Sequence, residues 1–480
     1  MTKTNSPSSQ MTHYRWAICA MLFFATTVNY LDRQVLSLLQ PDLAQEFHWS
    51  ESDYGTITAV FSLFYAVAVL FVGRFIDRLG IKKGYAIAIS IWSLGAIIHS
   101  LCGVTTEWIT NLPNAEALRS VVSGTDVAAQ ISMISVLAFS FCRCVLALGE
   151  AGNFPAAIKS TAEYFPKRDR AFATGIFNSG ANIGAIVAPL SVPFIAKWWG
   201  WEVAFIAVGV LGFIWMGLWL FVYKKPEENP SVNAAELEYI KQDAEAEADV
   251  AGNEPEGDEV KITFLQCWRY RQTWAFALGK FLTDGVWWFF LFWTPAYLKS
   301  QYNMSGTDIA LPIAVLYSIT VIGSVFGGKF PTYFINKGMD PYSGRMRAML
   351  IIAIFPIMIL FAQPLGTFSY WLPVLLIAIG CSAHQAWSAN IYSTVSDMFP
   401  KSAVGSIVGI GTMAGGVSSF LINKSSGVLF DYSEETNLEF CGFVGKESGY
   451  FIIFAICAFA YLIGWCVMKI LVPRYSPIRA

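Results

Sequence analysis

Four ionisable side chains sit inside apolar stretches, Asp32 and Arg33 in the first and Arg143 and Glu150 in the fourth. On insertion scales each charge costs roughly +2.5 to +3.5 kcal/mol at a bilayer centre, so such residues persist where they pair or line a watery path. Arg143 and Glu150 are seven residues apart, which at about 100° per residue returns them to nearly one helix face. The arginine fork can bond both oxygens of a carboxylate, and a carboxyl beside an arginine in an apolar setting is poised between its ionised and protonated forms. The chemistry is a path for an anion and a proton, which points to a transporter. The alternative is static ion pairs that hold helices together.

The elements that must position these groups are membrane spans. The 480 residues are 55% hydrophobic and 15% aromatic. Only 14% are charged, against about 25% in soluble domains. Apolar stretches of span length run along the whole chain, with centres near Ala25, Phe64, Ser93, Phe139, Asn182, Leu211, Trp288, Leu316, Ile354, Ile377, Thr412 and Phe459. That is twelve stretches, each about as long as a bilayer requires. The first, from about Trp16 to Leu31, lacks a small-residue cleavage site and reads as a retained helix rather than a signal peptide. The fold class expected is an all-α polytopic membrane protein.

Lys and Arg cluster in alternate short loops, at Arg74, Arg78, Lys82 and Lys83, at Lys167, Arg168 and Arg170, at Lys337, Arg345 and Arg347, and at Lys401. By the positive-inside rule both termini then face the cytoplasm. Residues 224–272 are acidic and Ala-, Asn- and Pro-containing, with an amphipathic patch near Leu237–Ile240, and read as a solvated cytoplasmic linker. Residues 1–223 and 273–480 form two six-helix halves, the first carrying an outside insertion near 105–130. An internal repeat supports the division: the run Glu163–Ile176 aligns with Asp397–Ile410 at a shift of 234 residues, sharing Phe-Pro-Lys and a following glycine. Parallel repeats of this kind bind substrate at mid-depth between the halves.

The strongest local motif is Gly73-Arg-Phe-Ile-Asp77-Arg78-Leu-Gly80-Ile-Lys82-Lys83. It fills every position of the loop between spans two and three of the major facilitator superfamily, and the chain resembles that superfamily. Its glycines allow a tight turn, and Asp77 can accept from a helix N-terminus or an arginine, making a conformational latch. Within the superfamily the chain is similar to anion:cation symporters, nearest to bacterial hexuronate and sugar-acid transporters. The residues carrying this are Asn29–Arg33, Arg143 with Gly149–Pro155, Glu163–Pro166, Trp201–Phe205 with Gly209, Trp215 and Trp219, Lys280–Asp284, and Ala383–Trp387. The resemblance implies a major facilitator fold of twelve helices in a bacterial inner membrane. It also implies roles: Arg143 clamps the substrate carboxylate, Glu150 is the main proton carrier, and Asp32 is a second protonation site that Arg33 holds or releases. Arg33 is counted with the substrate site.

Softer candidates for the same site are Tyr65; Asn178, Ser179 and Asn182 in span five; Lys280 with Asp284, an i, i+4 pair; and His384, Gln385, Trp387, Ser388 and Asn390 in span ten. Hydroxyl reading by these amides and hydroxyls competes with helix–helix hydrogen bonding. Trp287 and Trp288 stack on a sugar face or simply pack. The 234-residue shift sets His384 opposite Glu150, which brings it toward the same cavity by pseudo-symmetry.

The expected function is import of a sugar acid, a hexuronate, with protons by alternating access. An aldonate or other carboxylate, or exchange in place of symport, is the alternative. No cofactor or metal is expected, and the partners are the organic anion, protons and the lipid bilayer, with the protein a monomer. No basic, aromatic-interleaved patch suggests nucleic acid. Four histidines without H-E-x-x-H spacing argue against a membrane metalloenzyme. The nine cysteines show no C-x-x-C spacing and read mostly as small core hydrophobes, with Cys441 alone in a loop.

Overall fold

The computed structural model describes residues 11–251 and 262–478, without the side chains of residues 77, 167, 168, 171, 243–251, 401 and 402. The long helices of the first half are α1 (Arg15–Phe47), α2 (Glu51–Leu79), α3 (Ile81–His99), α4 (Asp126–Glu150), α5 (Lys167–Trp199) and α6 (Trp201–Val222). Those of the second are α7 (Arg271–Tyr302), α8 (Ala310–Gly327), α9 (Pro341–Ile352), α10 (Trp371–Met398), α11 (Lys401–Glu435) and α12 (Lys446–Leu471). Among the described residues eleven spans are long and apolar enough to cross a membrane. The twelfth is α1, 33 residues long, whose hydropathy is lowered by Asn29, Asp32, Arg33 and Gln34 at its middle. Residues 102–125 carry two short helices, Cys102–Thr110 and Ala115–Ser120, so the expected insertion is structured and ends where α4 begins.

Local rules explain the breaks. Gly80, at φ 75°, is at once the last cap of α2 and the first of α3, a backbone angle that a side chain would strain. α4 stops at Glu150 and resumes as Asn153–Tyr164, because Pro155 has no N–H to give the carbonyl of Ala151 and its ring crowds that carbonyl. Gly149, just before the break, lies so close to α3 that a β-carbon would collide with the Trp92 amide and the Ala88 carbonyl. Glu150 is thereby held on a short rigid stretch.

The linker is not solvated along its whole length. Glu236, at the start of the helix Ala234–Ala251, has a fully buried side chain. It accepts from the Thr12 hydroxyl (2.5 Å), the Tyr14 N–H (2.9 Å) and the Arg15 N–H (3.1 Å), and pairs with the Arg15 guanidinium at 3.1 Å. Arg15 also lies over the Tyr239 ring at 4.6 Å, and Asn229 donates to the Tyr164 hydroxyl. The first half therefore extends as one packed body to about residue 240. Burial works to raise the Glu236 carboxyl, but the bonds from Thr12, Arg15 and Tyr14 and the Arg15 charge outweigh it and hold the group below the ordinary carboxylate range. A lowered folded value means that this clamp is fully present above the ordinary carboxylate pKa, about 4.3, and is lost as pH falls through the folded value. Glu236→Ala leaves Arg15 buried without its partner and is expected to remove about 3 kcal/mol. The check is a lower thermal midpoint of the purified protein at pH 7, with the gap to wild type closing in acid.

The two halves meet at the end of the bundle where α1 turns into α2. There the first four turns of α2 pack on α11 and α7: Ser62 meets Ser419 of α11 at 2.8 Å, and the Tyr54 hydroxyl donates to the Phe292 carbonyl of α7 at 2.7 Å. At the opposite end, near the chain termini, Phe71, Arg74 and Phe75 of α2 are exposed. The halves are held together at the α1–α2 turn end.

Candidate functional site

Arg33, Arg143, Asp32 and Glu150 are each no more than 2% exposed and sit together between α1 and α4. The Arg33 guanidinium donates to Glu150 Oε2 twice, from Nε at 2.8 Å and from Nη2 at 2.6 Å. This pairing is crosswise. The sequence suggested a partnership of Asp32 with Arg33, but neighbours on a helix point about 100° apart, and Arg33 reaches across to α4 instead. Asn29, one turn below Arg33, presents its Oδ1 at 3.5 Å from Nη2.

Arg143 is left differently. Its Nη2 reaches only the Arg33 carbonyl, at 3.5 Å, a distance at which a hydrogen bond is weak. Its Nε and Nη1 are buried with no hydrogen-bond partner among the described residues, as are both carboxylate oxygens of Asp32 and Oε1 of Glu150. The charges that act on Asp32 are those of Glu150, Arg143 and Arg33. Buried donors are nearly always satisfied, so an arginine whose Nε and Nη1 are both open is a place for an anion's oxygens.

Aromatic rings wall the cations. Arg33 lies 4.8 Å from the Trp288 ring, 4.9 Å from Tyr30 and 5.0 Å from Tyr65, and Arg143 lies 5.2 Å from Phe61. Such contacts favour a cation in place and exclude water from it. Trp288 belongs to α7, so the second half reaches the first-half cations directly. The expected sugar-stacking pair thus divides. Trp288 is at the site, whereas Trp287 is buried and stacked on His384 at 5.3 Å.

On the second half Lys280 pairs with Asp284 at 2.6 Å and donates to the Tyr392 hydroxyl at 2.9 Å, with its ammonium 4.2 Å from the Tyr392 ring. The span-ten cluster splits by face. His384 bonds to the Tyr461 hydroxyl at 2.8 Å inside the second half, Trp387 packs on Tyr461, and Asn390 donates to the carbonyls of Gly327 and Ala386. The contacts of these three lie within the second half, and none joins His384 to Glu150 among the described residues. Gln385 and Ser388 are half-buried and lie seven and four residues before Tyr392, on its helix face. Asn178 and Ser179 are exposed and Asn182 is half-buried. The Ser179 hydroxyl bonds to the Ile176 carbonyl in its own helix. The three residues sit away from the α5 face where Gly180 and Gly184 abut α1.

In the loop motif, Gly73 accepts from Lys159 at 3.0 Å, Lys82 accepts at its carbonyl from Trp219, and Arg78 and Lys83 are exposed. The Asp77 side chain lies outside the described residues. Sequence reasoning missed Tyr30, Phe61 and Tyr392. Tyr30 lay in the quoted Asn29–Arg33 run, and Tyr392 could have been found by its seven-residue spacing from Gln385.

The Major Facilitator Superfamily model matches residues 22–422. The chain belongs to that superfamily. Among curated members, it is 29% identical over 419 residues to the hexuronate transporter of Escherichia coli (strain K12), covering 87% of this chain and 88% of the relative. It is 28% identical over 320 residues to the galacturonate transporter of Dickeya chrysanthemi, covering 67% and 82%. It is 27% identical over 457 residues to the probable galactarate/D-glucarate transporter of E. coli (strain K12), covering 94% and 95%. Two solved superfamily structures share its fold. The inward-facing, unoccupied bacterial homologue of the human lysosomal transporter Spinster superposes at a TM-score of 0.68 with 18% identity, covering 97% of this chain and 99% of that one. The D-xylose–proton symporter superposes at 0.65 with 15% identity, covering 97% and 98%. The protein is a multi-pass membrane member of the superfamily, with sugar-acid transporters among its relatives.

Proposed function

We propose that this protein imports a hexuronate together with protons by alternating access between its two halves. The observation that carries the reading is the buried Arg143 guanidinium, with Nε and Nη1 open, in one cluster with Asp32, whose carboxylate is also open. A substrate carboxylate would accept from the guanidinium bidentately, end-on at Nη1 and Nη2 or side-on at Nε and Nη2, in place of the weak 3.5 Å contact of Nη2 with the Arg33 carbonyl. It would neutralise the charge that Asp32 faces, and Asp32 would then take up a proton. Glu150 stays engaged by two bonds from Arg33, so Asp32 is the first proton carrier and Glu150 the second, the reverse of the order that family resemblance implies. Tyr65, Gln385 and Ser388 would read hydroxyls, with Asn178, Ser179 and Asn182 on the approach. The Gly73–Lys83 loop would act as the latch at the terminal end.

The Lys and Arg distribution supports cytoplasmic termini, and bacterial relatives support an inner-membrane location. The end at which α2 packs on α11 then faces away from the cytoplasm, and its closure supports an inward-facing conformation. Residues 1–223 with the docked start of the linker, and residues 273–480, would be the two rocking bodies. A second reading, a dicarboxylate such as an aldarate, is favoured by Lys280, which supplies a cation from the other half at 2.6 Å from a carboxylate it could exchange for the substrate's.

Uptake of radiolabelled glucuronate into proteoliposomes, with galacturonate, glucarate and gluconate as competitors, tests both. Accumulation above equilibrium only with an inward proton gradient is expected. Uptake of glucarate but not glucuronate transfers the assignment to the second reading. Gradient-independent equilibration removes proton coupling.

A further inference from the structure

The α1–α2 turn end holds a set of cross-half contacts that substrate binding does not use. α2 begins with a complete local capping box: the Ser50 hydroxyl accepts from the Asp53 N–H at 3.1 Å, and the Asp53 carboxylate accepts from the Ser50 N–H at 3.0 Å. That box leaves the N–H groups of the first two helical residues, Glu51 and Ser52, open. Both are taken by Asp431 of α11, 380 residues later in the chain, whose two oxygens accept from Glu51 at 3.0 Å and from Ser52 at 2.7 Å.

Two lysines of the second half flank this cap. Lys446 bridges Glu51 at 3.0 Å and Glu434 at 2.8 Å. Lys424 donates to the hydroxyls of Ser52 at 3.1 Å and Thr56 at 2.7 Å. The helices can come this close because glycines face each other. A β-carbon at Gly55 would lie 2.7 Å from the Asn423 carbonyl, and one at Gly427 would collide with the Glu51 carbonyl.

We propose that Asp431 is a detachable cap which, with Lys424 and Lys446, latches the halves shut at this end. A carboxylate placed on a helix N-terminus gains from both the open N–H groups and the helix dipole. When the halves part, the two amides and the carboxylate return to water, so the exchange is small and reversible, which suits a contact made and broken in each cycle. Because the local Ser50–Asp53 box remains, α2 keeps its start in either state. The proposal rests on rocking of the two halves but not on the substrate, so an uptake assay negative for every sugar acid would leave its test intact.

The test is a distance distribution between nitroxides on Glu116→Cys, exposed in the first half, and the native Cys441, exposed in the second, with Cys144 and Cys466 replaced by serine. Asp431→Ala is expected to raise the ratio of long to short distances about five-fold, the ratio that about 1 kcal/mol of lost capping represents. Lys446→Gln should shift the ratio in the same direction, and the exposed Glu435→Gln should leave it at wild type. If Asp431→Ala does not fold, as judged by its thermal midpoint, Lys446→Gln decides. Folded variants that keep the wild-type distribution overturn the latch.

Discussion

Arg143→Lys is expected to weaken substrate binding roughly a hundred-fold while leaving the fold intact. The lysine keeps the charge but not the fork, and its ammonium cannot present two parallel, coplanar N–H groups to one carboxylate. With Nε and Nη1 open and Nη2 only weakly held at 3.5 Å, the fork can give a carboxylate two charge-assisted bonds, and both are lost. That is about 3 kcal/mol, or roughly a hundred-fold in affinity. Titration calorimetry with glucuronate and glucarate on the purified protein measures it directly. A structural role makes a different prediction: if Arg143 only holds helices together, the thermal midpoint falls and the affinity of the remaining folded protein is unchanged. Retained affinity in Arg143→Lys would remove Arg143 from the substrate site.

Asp32→Asn is the second large effect, and it separates coupling from movement. The variant is expected to lose proton-driven accumulation altogether, at least ten-fold in the steady-state ratio, yet to keep exchange of labelled for unlabelled substrate across the membrane. Asparagine fills the same space and cannot take up a proton, while the Arg33–Glu150 pair is untouched. Glu150→Gln should behave differently. It strips the Arg33 guanidinium of its charged partner in a buried place, where an unpaired ion costs several kcal/mol, so stability and exchange fall together. Uptake with and without a proton gradient, alongside counterflow, distinguishes the two variants. If Asp32→Asn still accumulates substrate and Glu150→Gln exchanges without accumulating, the proton carrier is Glu150.

These contrasts follow from contacts that no local pattern reveals. The spans and the duplicated Phe-Pro-Lys junctions were legible in the chain because hydropathy and short spacing are properties of neighbouring residues. So was the presence of Asp32, Arg33, Arg143 and Glu150 in apolar stretches, since an ionisable residue in a span stands out against its flanks. The Gly73–Lys83 loop was legible for the same reason, its glycines and charges being set within eleven residues.

Which charge faces which was not. Arg33 and Glu150 are 117 residues apart, and their pairing depends on how α1 packs beside the break that Pro155 puts into α4. The cluster from His384 to Asn390 looked like one polar surface in a line of sequence, but a helix distributes seven residues around its whole circumference. Neighbouring helices then claimed His384 and Trp387 for the interior and left Gln385 and Ser388 on the face of Tyr392. Glu236, in a stretch that read as solvent-exposed linker, became buried because the Arg15 side chain and three hydrogen-bond donors converge on it. Nothing in the sequence marks Asp431, which gains its role only where α2 brings two open amides to it. Composition and periodicity therefore determined the membrane, the repeat and the inventory of charged groups. Only the packing of α1 on α4 and of α2 on α11 decided their partners, because a partner is chosen by distance in space and by which donors remain unsatisfied there.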